Sequence, residues 1–195
     1  MTALNPTRDR ILIHGLGIAS QQGLQALSMG TLARELDLPR SGLSSHFSDN
    51  ESLQLGVLEQ AASLFLREVI DSTSATAPGE ARLKAMFVRW IAWSRSPKLK
   101  GGCPFVLASR ESSVLPAPVR VRLKEVLDTW SQVLEQAVQE TKANGQFRGD
   151  VEAAQIVFEM HGLYLSHHLF HWYMKDNMAE HRTLKAFERL VASCR

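Results

Sequence analysis

The sequence predicts an all-α protein, with a small N-terminal three-helix unit followed by a larger helical domain. Three observations carry this. Apolar residues recur three or four positions apart in almost every periodic segment, and no stretch alternates long enough to form a strand. With 195 residues, 45% of them hydrophobic, the chain can bury a real core, divisible into a unit of about fifty residues and a larger one.

The first helix is expected over Pro6 to Gln22, capped by Asn5 and burying Ile11, Leu12, Gly15, Ile18 and Ala19; Gly23 ends it. Ser28 caps a short second helix carrying Met29, Leu32, Ala33 and Leu36. Asp37, Leu38 and Pro39 then turn the chain into a third helix ending near Ser45. A fourth helix runs from Asp49 to Ile70, with Leu53, Val57, Ala61, Leu64 and Phe65 inward, and the polar stretch from Asp71 to Ala77 is a loop. Pro78 opens a fifth helix with Leu83, Phe87, Trp90 and Ile91 on one face. The break at Gly101 to Pro104 precedes a short apolar helix through Phe105 and Val106. From Leu115 to Pro118 the chain restarts into a long helix that closes near Asn144 and Gly145. Asp150 is read as the cap of a further helix from Val151 to Lys175, and Asn177 with Glu180 as a capping-box-like start for the last.

Charge says little about partners. The net formal charge is +2, and residues 1–50 balance Arg8, Arg10, Arg34 and Arg40 against Asp9, Glu35, Asp37 and Asp49. No run approaches the roughly 18 apolar residues of a membrane span, and the polar start from Met1 to Arg10 lacks the pattern of a secretory leader, so a cytoplasmic protein is expected. Cys103 and Cys194 are far apart without metal-type spacing and read as free thiols; Cys103, with no basic residue beside it, reads as a packing thiol ahead of a reactive sensor thiol.

The stretch SMGTLARELDLPRSGLSSHFSDNESL, residues 28–53, carries the functional signal. Leu36 and Leu38 anchor a tight turn, and Leu43 and Phe47 pin the third helix against its neighbours. Arg40, Ser41, Ser44, Ser45 and His46 are left on its outer side, short or forked donors suited to phosphates and groove edges. Ser28 and Thr31 at the start of the second helix and Asn50 at the start of the fourth complete the candidate DNA-binding set.

Leu32-Ala33, the turn Asp37-Leu38-Pro39, His46-Phe47 and Asp49-Asn50-Glu51-Ser52-Leu53 resemble the N-terminal domain of TetR/AcrR-family transcriptional regulators over about the first sixty residues. GGCPF at Gly101 to Phe105 and PAPVR at Pro116 to Arg120 resemble the ligand-binding half of one subgroup. The resemblance implies a helix-turn-helix DNA-binding domain over residues 1–48 and a ligand-binding and dimerisation domain over residues 49–195. It implies a repressor that binds operator DNA as a homodimer and is released by a small-molecule effector. Three positions depart from the family pattern: Asp37 stands for the usual turn glycine, Ser44 for a phosphate-reaching tyrosine and Asn50 for a lysine. Asn50 and the N–H groups beginning the fourth helix offer only a neutral clamp in its place.

Trp90, Trp93, Phe105, Trp130, Phe158, His161 and Tyr164 combine broad apolar surface with a few polar tips and are the candidate ligand-binding residues, implying a greasy, aromatic effector. Val157, Met160, Tyr164 and Leu165 are too spread around their helix for one core. A second buried surface, with Leu184, Phe187 and Val191 of the last helix, is expected to pair with a twin. His167 and His171 have zinc-chelating spacing, yet HExxH and matching acidic partners are missing, so no metal and no cofactor are expected. No nucleophile–base pair, phosphate loop or paired carboxylates suggest an enzyme.

Overall fold

The computed structural model describes residues 6–195, the side chains of Pro6 and Arg40 excepted. The expected Asn5 cap lies outside the described residues. Every regular element described is helical: α1 (Pro6–Gln22), α2 (Met29–Glu35), α3 (Arg40–Ser44), α4 (Asn50–Phe65), α5 (Glu80–Trp93), α6 (Pro104–Arg110), α7 (Ala117–Ala143), α8 (Ala153–His168) and α9 (Ala179–Ser193). A π-helical turn over Leu66–Ile70 extends α4, and another over Leu169–Tyr173 extends α8. No helix among the described residues is long and apolar enough to cross a membrane.

Two compact units result. The first runs to Leu64 and takes in Arg95–Val126; the second holds Phe65–Ser94 and Leu127–Arg195.

In the first unit Ile11, Leu12, Leu16 and Ala19 of α1 and Leu53, Val57 and Ala61 of α4 are all buried. Two glycines set how closely these helices approach. A Cβ on Gly15 would meet Val57 at 2.8 Å, and one on Gly56 would meet Phe47 and Leu12 at 3.0 and 3.1 Å. α2 is capped as expected, Ser28 Oγ accepting from Thr31 N at 3.0 Å. Asp37 has φ +51°, so it takes the left-handed conformation that favours glycine; aspartate tolerates that region better than most residues. Past α1, Gly23 (φ +89°) presses its bare Cα against the carboxylate of Glu111, which accepts from Gln25 N at 3.3 Å. Buried Gln54 holds the same connection from below, donating to Leu24 O (3.1 Å) and Leu27 O (3.4 Å). Arg122 of α7 clasps Glu59 of α4 through two nitrogens and also reaches Glu125 at 3.1 Å.

In the second unit, three helix starts differ from the sequence reading. α5 begins after Gly79 (φ +104°), not at Pro78. α8 begins at Ala153 without a side-chain cap, because Asp150 pairs instead with Arg148 at 3.2 Å. Before α9 it is Asp176, not Asn177, that accepts a backbone N–H, that of Met178 at 2.9 Å.

Of two expectations about apolar faces, one is corrected. Val157, Met160 and Tyr164 are buried on one side of α8 and Leu165 is half exposed, so the four do not share one core, as expected. Phe187, expected on a self-pairing surface, is only 2% exposed and stacks on Phe87 with ring centroids 4.1 Å apart; Val191 is buried beside it. The apolar residues that α8 and its π turn leave in water are Leu165 together with Phe158, Leu169, Phe170, Tyr173 and Met174.

Candidate functional site

The first candidate surface is built on α3, a helix too short to stand without tertiary support. Leu43 (0% exposed) and Phe47 (3%) anchor it to the first unit's core, so its opposite side is fixed and outward. Ser41, Ser44 and Ser45 lie exposed there, and His46 is half-buried with its ring edge toward Phe47. Ser45 spends its hydroxyl on Gly42 O at 2.9 Å. Arg40 opens α3, its side chain outside the described residues.

The other three predicted contacts have structural duties at the start of α2. Ser28 and Thr31 face one another, hydroxyl to hydroxyl, at 2.9 Å. Asn50 Oδ1 accepts from Met29 N at 2.9 Å, which joins the starts of α2 and α4 and leaves the amide NH2 as the group Asn50 can present outward. The N–H groups beginning α4 are a poorer phosphate cup than the sequence suggests. Ser52 N already donates to Asp49 Oδ1 at 2.7 Å, and Asp49 N takes Ser52 Oγ at 3.1 Å. The backbone hydrogen bond from Ser52 holds the Asp49 carboxyl below its ordinary range, so a full negative charge sits at that helix end.

One cation escaped the sequence reading. The Arg8 guanidinium lies 5.3 Å from the centre of the Phe47 ring, placing an α1 charge at the foot of α3. Only the fold brings positions 8 and 47 together.

The second candidate site is aromatic and lies in the second unit. Trp90 is its hub: stacked on Tyr164 (4.2 Å) and edge-on to His161 (4.9 Å), Trp130 (5.2 Å) and Phe87 (6.2 Å). Phe65 bridges Trp130 at 5.0 Å and Trp93 at 5.6 Å, a link no local pattern announced. The structure therefore brings Trp90, Trp93, Trp130, His161 and Tyr164 together. It does not bring in Phe158, which is 72% exposed, because it is one residue past Val157 and so faces away from the core. Phe105 is buried in the first unit.

Polar chemistry in this cluster is sparse. His161 Nε2 lies 3.1 Å from Ser131 Oγ, and burial lowers the imidazole pKa, so the ring is neutral at physiological pH. Trp130 is buried, and among the described residues its indole N–H has no hydrogen-bond partner. His167 and His171 stack nearly parallel at 5.3 Å, and among the described residues no three of His, Cys, Asp and Glu group as a metal site would require.

Residues 79–187, more than half the chain, match the family model described as the tetracyclin repressor-like C-terminal domain. Among curated protein sequences no significant match is found. Solved structures share the fold along nearly the whole chain. A TetR transcriptional regulator from Chloroflexus aurantiacus superposes with a TM-score of 0.85 at 20% identity, covering 96% of this chain and 94% of that one. A TetR-family regulator from Streptomyces coelicolor gives 0.81 at 18% identity, covering 96% and 89%. AibR, solved with isovaleryl coenzyme A and operator DNA, gives 0.72 at 19% identity, covering 92% and 95%. With the family model spanning residues 79–187 and the anchored α3 surface preceding it, the chain belongs to the TetR family of transcriptional regulators.

Proposed function

We propose that the protein is a cytoplasmic repressor that binds a two-fold-symmetric operator as a homodimer and leaves it when a small, largely apolar effector binds. Residues 1–48 act as the reading domain and residues 49–195 as the effector and pairing domain. The observation that carries this reading is α3, pinned by Leu43 and Phe47 with its serines outward, because a groove-reading helix must be rigid and uncovered. Arg40, Ser41, Ser44 and His46 are assigned to base edges and phosphates, and Asn50 to a phosphate through its NH2 group.

Pairing is assigned to the stripe Phe158, Leu165 and Leu169, seven and four residues apart on α8 and its extension, continued by Phe170 and Met174. A monomer would leave that band wet. AibR's complex with an acyl coenzyme A and operator DNA supports an effector-responsive reading of this fold. The test is a gel shift with the DNA flanking the protein's own gene, run across a salt series. A salt-sensitive shift with two chains per duplex is expected; no shift at any salt concentration removes the regulator from that DNA.

A further inference from the structure

Two polar atoms of the second unit's aromatic cluster, one on Trp130 and one on His161, are complementary. Ser131 Oγ lies 3.1 Å from both Leu127 O and His161 Nε2, and with its one proton on the carbonyl the oxygen accepts from His161 Nε2. In that arrangement the imidazole proton is on Nε2, and Nδ1 carries a lone pair. Trp130 Nε1–H is a buried donor without an acceptor among the described residues, which is costly to keep unless something uses it. Both rings flank Trp90, one edge-on at 4.9 Å and the other at 5.2 Å.

Building on the effector reading above, we propose that the effector is an uncharged aromatic molecule bearing a hydroxyl or primary amide, which takes the Trp130 indole proton and donates to His161 Nδ1 beside Trp90. A flat ring entering this cluster replaces one ring–ring contact by another of the same kind, so the apolar exchange is close to balanced and the two hydrogen bonds decide selectivity. A carboxylate meets the His161 lone pair without a countercharge and would be buried at heavy cost. An ammonium wastes the Trp130 donor.

Four probes sharing one benzene ring separate these cases: phenol, toluene, benzoate and benzylamine, each titrated into the full-length protein at neutral pH and followed by ligand-observed NMR. Phenol is expected to bind on the order of tenfold more tightly than toluene, and both charged probes more weakly than phenol. The preference for phenol should vanish in Trp130→Phe and in His161→Phe while toluene binding survives, the latter showing that the cluster is still folded. Equal binding of phenol and toluene by the unmodified protein overturns the inference without needing any variant. So does benzoate or benzylamine matching phenol, absence of binding by all four, or a phenol preference that persists in both variants. The operator gel shift on the same preparation keeps the two readings apart. DNA binding without phenol preference sinks this inference alone, and phenol preference without DNA binding sinks the regulator reading alone.

Discussion

Phe187→Ala and Leu165→Asp discriminate between core and pairing face. Phe187 is 2% exposed and its ring lies against Phe87 at 4.1 Å, so truncation removes most of a buried aromatic side chain and leaves a cavity in the second unit. The cost of such a change is about 3 to 5 kcal/mol, of which roughly 1 kcal/mol belongs to the stacked pair. For a chain of this length each kcal/mol lowers the melting temperature by about 2 to 4 °C, so a drop on the order of 10 °C is expected in the helical circular-dichroism signal. Leu165 is half exposed on the outer stripe of α8, and aspartate there disturbs no core contact. Sedimentation of Leu165→Asp should show a folded monomer. If Phe187→Ala melts within about 2 °C of the parent while losing its partner, the last helix is turned the other way and the packing described here is wrong.

Gly23→Ala forces a side chain into positive φ and onto the Glu111 carboxylate, releasing Gln25 N; a loss of about 1 to 3 kcal/mol is expected in denaturant unfolding, and an unchanged midpoint would contradict the Glu111 contact. His161 has its pKa lowered by burial, so the unfolded chain binds its proton more readily than the folded one. Its contribution to stability is therefore complete above the ordinary imidazole value of 6.5 and is lost as pH falls below it, and His161→Asn should flatten that part of the stability–pH curve relative to the parent. A difference curve without slope below pH 6.5 would mean that the ring is open to water.

The helical order and most of the core were legible from periodicity, because a 3.6-residue repeat is written locally. Ser28 as a cap was legible for the same reason. Asp150 and Asn177 were misread because a capping side chain is good evidence only when no closer partner competes, and Arg148 and Asp176 did compete. The sorting of α8 between core and outside needed the fold: Val157 and Phe158 are equally apolar, and only the packing of α5 and α9 decides which of them is covered. Arg8 over Phe47 and Phe65 between two tryptophans are contacts between distant positions that carry no local signature.

On the proposed reading α3 is the part that contacts DNA. Fluorescence anisotropy with a labelled operator duplex tests this, comparing the parent with His46→Ala and Arg40→Ala at matched salt. Both variants should keep the parent's melting temperature and bind roughly tenfold or more weakly. Parent-like affinity in both would place the reading surface somewhere other than α3.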